Sequence, residues 1–181
     1  MKKKIVILIV ITLFSCQSSL RKNDIKQIVQ EWQGKEIQIP LGKIEYKVMG
    51  RDTSCVELWS KPYKIFTYVD SVGCTSCQLG LSQWKRLIDS CVILSSDVSF
   101  IFVVNSSDFE SFENFVFAYD FNYPIIYDRH NEFELLNNFP QKPYRTFLLD
   151  KNNKVILVGS PTDYPEIWNL YLQQIKNEKH N

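Results

Sequence analysis

The hydrophobic positions of this chain change period several times, and each change predicts an element. Residues 5–14 are nearly all apolar and follow Met1-Lys2-Lys3-Lys4. A basic start and about ten apolar residues read as a secretory signal, too short for a comfortable mature membrane helix. The mostly polar residues after it form a tether. Asp24 then caps a predicted helix to Trp32, with Ile25, Ile28, Val29 and Trp32 on one face. Residues 35–40 and 44–48 alternate as short strands do, and 56–59 reads as another.

From Tyr63 the pattern sharpens. Residues 64–69 form a β-rich run, and 70–73 a turn. Cys77, Leu81, Trp84, Leu87, Ile88 and Cys91 recur at helical spacing, with Lys85, Arg86 and Asp89 opposite. Residues 98–104 are nearly continuously apolar, as a strand covered on both faces should be. Strand, helix and strand make a βαβ unit with parallel strands and a right-handed crossover. Asp108 caps a helix to about Tyr119, 125–127 is a short strand and 131–137 a short helix. Residues 146–149 and 154–158 pair across Asp150-Lys151-Asn152-Asn153, where Asn and Asp tolerate positive φ. Pro165 opens a last amphipathic helix with Ile167, Trp168, Tyr171, Leu172 and Ile175 inward. The order predicts an α/β fold: a mixed central sheet with helices on both faces and an N-terminal β extension. Phe109, Phe112, Phe115, Phe117, Tyr119, Phe121 and Tyr123 read as core with one exposed edge.

Composition adds little until the cysteines are counted. Hydrophobic residues make up 45% of the 181, enough for a packed core and against global disorder. A net charge of +1 without a basic stripe gives no case for nucleic acid. The five cysteines are Cys16, Cys55, Cys74, Cys77 and Cys91. Behind a secretory signal they would meet an oxidising compartment, where disulfides persist.

Cys74-Thr75-Ser76-Cys77 falls where a predicted strand gives way to a helix. A free thiol has a pKa of about 8.5 and is mostly protonated at neutral pH, whereas the thiolate is the nucleophile. Unpaired N–H groups and the dipole at a helix start favour that negative charge. Cys74, at or near the N-cap, holds the best position for that charge. Cys77, one turn in, is within reach of it, so one partner can attack and the other resolve the mixed disulfide. Gly73 lets the chain turn sharply into the helix. A purely structural disulfide is the other reading of the pair. Zinc needs four ligands, and with only His130, His180 and no second CxxC, no metal site is expected. Cys91, on the apolar helix face, reads as a buried inert thiol. Cys55 reads as a loop thiol, with a bridge to Cys91 or a relay to the CxxC pair left open. Asp70, four residues before Cys74, is either a proton acceptor or a turn former.

Tyr63-Lys64-Ile65-Phe66-Thr67-Tyr68-Val69 followed by Cys74-Thr75-Ser76-Cys77 resembles the thioredoxin superfamily. The likeness is greatest to exported TlpA/redoxin-type thiol–disulfide proteins and the thioredoxin-like lipoproteins of Bacteroidetes. Trp84, the strand over 98–104, and Thr146-Phe147-Leu148-Leu149-Asp150 with Lys154 fit that family's order. The resemblance runs from Tyr63 to the end. It implies a thioredoxin-like fold, Cys74 as attacking and Cys77 as resolving thiol, no bound cofactor, protein disulfide substrates and a protein redox donor or acceptor. The family carries a cis-proline before the strand that here starts at Thr146. Tyr144 occupies that position and Pro143 precedes it, so either the loop is shifted, with Pro143 and Tyr144 as the substrate loop, or the feature is lost. The family's aromatic residue before the first Cys is replaced by Val72-Gly73. A peroxiredoxin reading would use Ser71 and Arg145, but Thr67 stands where that family carries proline.

Leu13-Phe14-Ser15-Cys16 resembles a bacterial lipobox, which implies cleavage before Cys16 and lipidation of it; acyl chains on one Cys anchor stably. Gln17 after it favours the outer over the inner membrane by the same likeness. The expected organisation is a signal over 1–15, a tether over 16–23, a helix and β-hairpin extension over 24–62 and a thioredoxin-like domain over 63–181. Two functions fit: a lipid-anchored, periplasm-facing thiol–disulfide oxidoreductase, or a non-catalytic binding or scaffold lipoprotein with a structural disulfide.

Overall fold

The computed structural model describes residues 23–42, 44–71, 79–90 and 97–177. The signal, Cys16, most of the tether, Cys74, Cys77, Cys91 and His180 lie outside the described residues. Seven strands form one mixed sheet: β1 (Tyr46–Val48), β2 (Arg51–Thr53), β3 (Tyr63–Val69), β4 (Val98–Val104), β5 (Ile125–Tyr127), β6 (Thr146–Leu149) and β7 (Val155–Val158). Their order is β2-β1-β5-β4-β3-β6-β7. β3 runs parallel to β4, and β4 to β5, as the βαβ reading requires. β6 pairs antiparallel with β3 and β7 with β6. β1 pairs antiparallel with β5, and β2 with β1.

Period-two alternation on β3 divides the interior into two cores. Tyr63, Ile65 and Val69 face one way, with Trp84, Phe102, Phe121 and Tyr171. Phe66 and Tyr68 face the other, with Trp32, Phe133, Phe139 and Phe147. The first core lies under α2 (Leu81–Ser90), α3 (Phe109–Ala118) and α5 (Pro165–Asn177). The second lies under α1 (23–32) and α4 (Glu132–Asn137). Helices therefore cover both faces. Trp32 stacks on Phe147 and Phe139 with centroids 5.0 and 5.7 Å apart, and Lys35 Nζ sits 3.8 Å from its ring centroid. Trp84 meets Phe102 edge-on at 5.2 Å. Both geometries are favoured by the aromatic quadrupole.

Four local readings change. Asn23 is already helical, so Asp24 lies inside α1 rather than capping it. Residues 35–40 hold only a single bridge, Glu36 to Lys154, beside the edge of β7. Residues 56–59 belong to a 3-10 helix, Val56–Ser60, in which no residue is buried. The true partner of β1 is β2, reached through Met49 and Gly50, both at positive φ. β2 is exposed throughout, so no apolar alternation marks it. Asp108 caps α3 as expected, accepting from the Ser111 backbone N–H at 3.0 Å. Phe117 and Tyr119 form the exposed edge of the aromatic cluster, while Phe112 and Phe121 are buried. Among the described residues no helix is long and apolar enough to cross a membrane.

Candidate functional site

β3 ends at Val69, and Leu79 and Gly80 lead into α2. The segment containing Cys74 and Cys77 joins these two points. Gly80 lies at φ +59, a region L side chains rarely adopt. Its carbonyl accepts from the N–H groups of Gln83 and Trp84, at 3.0 and 3.2 Å. Leu79 is helical, the chain turns at Gly80, and the regular run of α2 starts at Leu81.

β6 begins beside the end of β3, with Thr67 opposite Thr146. Their hydroxyls lie 3.3 Å apart. The Tyr68 N–H donates to the Arg145 carbonyl at 3.0 Å, extending the ladder into the loop before β6. A cleft of about 300 Å³ opens here. Tyr68, Val69, Leu79 and Trp84 line one side, and Pro143, Arg145 and Thr146 another. Ser160 and Thr162, whose hydroxyls are 2.7 Å apart, complete the wall.

The charged groups at this end form a chain. The Asp70 carboxylate pairs with Lys142 Nζ through one oxygen and Arg145 Nη1 through the other. Arg145 Nε donates to the Pro140 carbonyl at 2.7 Å, and the guanidinium carbon sits 5.6 Å from the Tyr68 ring centroid. Glu134 Oε2 lies 3.9 Å from the same Arg145 Nη1, beyond hydrogen-bond reach, and is buried without a hydrogen-bond partner. Burial pushes the Glu134 carboxyl above its ordinary range, and the Arg145 charge only partly opposes this. Burial also raises the Tyr68 phenol, which donates to Asn131 Oδ1 at 2.6 Å. Asp128 accepts from the N–H groups of Glu132 and Phe133 at 2.8 and 3.0 Å, so it caps α4 in place of Asn131. Its carboxyl is likewise raised, with burial as the largest cause.

Among the residues singled out from sequence, Pro143 and Tyr144 lie in the loop before β6, and the Lys142–Pro143 peptide is cis. Pro143 is exposed and lines the cleft. Arg145, the thiolate partner of the peroxiredoxin reading, is instead committed to Asp70 and Pro140. Asp70 is engaged by two cations. His130 is exposed. Cys55 lies in the loop between β2 and the 3-10 helix as a free, buried thiol, at 8% exposure, so it is not bridged. Among the described residues no group of three His, Cys, Asp or Glu side chains could hold a metal ion. Sequence reasoning overlooked Lys142 and Glu134 as site residues. The pairing of β3 with β6 contains the missing signal: continuing its register places Asp70 opposite Pro143, between Lys142 and Arg145.

A parallel βαβ core with β6 and β7 added antiparallel, and a cleft between the end of β3 and the loop before β6, define a thioredoxin-like fold. No protein-family model matches the sequence, and no curated protein matches it. Solved structures do match. A Chlorobium tepidum protein named for thiol:disulfide interchange, DsbE, aligns at a TM-score of 0.57 with 13% identity, over 79% of this chain and 96% of its own. The thioredoxin domain of a thiol-disulfide oxidoreductase from Bacteroides vulgatus gives 0.54 with 12% identity, over 77% and 97%. StoA from Bacillus subtilis gives 0.53 with 20% identity, over 72% and 98%.

Proposed function

We propose that this chain is an exported, lipid-anchored thiol–disulfide oxidoreductase working through Cys74 and Cys77. One observation carries the reading: in a thioredoxin-like fold, the CxxC motif falls in the stretch of chain between Val69 and Leu79, two residues that line the cleft. Fold neighbours named for thiol–disulfide chemistry support it. The Cys74 thiolate attacks one sulfur of a substrate disulfide. That S–S bond breaks, and the departing substrate thiolate takes a proton. The Cys77 thiolate then attacks the Cys74 sulfur of the mixed disulfide and releases the second substrate thiol. The substrate gains two electrons, the pair becomes a disulfide, and a dithiol donor protein restores it; net oxidation of a client is the same sequence reversed. Pro143 and Tyr144 form the loop against which the substrate lies. No cofactor is required. Cys16 carries the lipid, and the domain faces the periplasm from the cell envelope, more plausibly from the outer membrane.

The test is trapping. Replacing Cys77 with Ser removes the resolving thiol, so client proteins should accumulate as mixed disulfides on Cys74 in cells and be released by dithiothreitol. A variant that captures no client while staying folded contradicts the oxidoreductase reading and favours a scaffold.

A further inference from the structure

We infer that Asp70 is a positioning residue: its carboxylate clamps the loop before β6 to the end of β3 through Lys142 and Arg145, and so sets the loop for protein substrates. The inference rests on the thiol–disulfide reading and on Pro143 and Tyr144 as its substrate loop.

The argument starts from the ladder. β3 and β6 are paired from Lys64 opposite Leu149 to Thr67 opposite Thr146. The last bond in that register is the Tyr68 N–H to the Arg145 carbonyl. Two residues further, Asp70 faces Pro143, which has no N–H to donate. Pro143 therefore cannot supply the next ladder donor, and side chains add the link there. The two cations on either side of Pro143 both reach the one carboxylate across from it.

The clamp is not an ordinary surface pair. The side chains of Asp70 and Arg145 are only 16% and 15% exposed, so removing one leaves a largely buried charge unmatched. Arg145 is also fixed at Nε by the Pro140 carbonyl, so its position and that of the 140–145 loop are coupled. A second carboxylate, Glu134, lies 3.9 Å from the same Arg145 nitrogen that Asp70 engages. With Asp70 neutral, Glu134 is the remaining acid facing that nitrogen. Partial burial holds the Glu134 carboxyl above its ordinary range, and at 3.9 Å it is the weaker partner of Arg145.

The experiment compares two disulfides in the full chain: insulin, which must lie against the loop, and hydroxyethyl disulfide, which needs only the thiol. Asp70→Asn should raise KM for insulin about tenfold with kcat little changed, the size expected for one charge-assisted contact. Its rate with hydroxyethyl disulfide should stay within about twofold. Asp70→Glu should recover most of the insulin activity. Lys142→Gln, at a more exposed position and without risk to folding, should shift KM in the same direction by about threefold. Equal insulin kinetics in Asp70→Asn and the parent overturns the clamp. Equal slowing on both disulfides also overturns it, because Asp70 would then act on the thiol itself. A parent chain inert toward both substrates instead removes the oxidoreductase reading, and the clamp falls with it.

Discussion

Among the described residues Lys64 is the one buried lysine. It is fully buried on β3, and its ammonium donates to the carbonyls of Asp150 and Lys151 at 2.7 and 3.0 Å. It ties the β6–β7 turn to the central strand at the pole opposite the cleft. Burial lowers its pKa, with the Asp150 charge in partial opposition. Lys64→Met keeps the volume and strands both carbonyls. Urea unfolding should report a loss of about 1–3 kcal/mol, with redox activity per folded molecule unchanged. The sequence placed Lys64 in a strand yet gave no hint of burial, since a charge inside an apolar run reads as an outward position. Asp70 was equally ambiguous. An acid after a strand suits a turn as well as a clamp, and only the partner strand's register decides between them.

At the scale of elements, the boundaries that carry their own chemistry were readable. Asp108 has a side-chain acceptor for the first turn of α3, and Asp150 accepts from Asn152 and Lys154 within the hairpin turn, so both signals are local. Elements without an apolar rhythm were not. β2, entirely exposed, is held by pairing to β1 and a two-residue turn at positive φ, whereas 56–59 had strand-like residues and became a 3-10 helix. The break at Gly80 was also hidden, because the spacing of Leu81, Trp84 and Ile88 continues smoothly behind Cys77 in sequence. Only glycine accommodates that turn without penalty. Gly80→Ala forces a Cβ into the left-handed region, 3.2 Å from the Gln83 side chain. It should cost about 1–2 kcal/mol, measured as a lower denaturant midpoint with unchanged slope.

For the whole molecule, the two βαβ connections and the closing hairpin determine the topology, and these were the most legible features. A buried β4 flanked by amphipathic α2 and α3 leaves few other arrangements. The division into two cores follows from the alternation on β3, and α1 completes the second through Trp32. What sequence could not supply was the cleft, which is built from the end of β3, the start of α2, the loop before β6 and Ser160 and Thr162, residues far apart in the chain. The central claim is that this fold presents Cys74 and Cys77 as a reversible couple. It is tested most directly by equilibrating the folded chain in glutathione buffers of graded potential, then counting alkylated cysteines by mass spectrometry. The account predicts that Cys74 and Cys77 convert together between dithiol and disulfide as one two-electron step, tenfold in equilibrium constant for about 30 mV, while buried Cys55 stays unalkylated throughout. A pair that remains two free thiols, or one closed bridge, at every potential would contradict it.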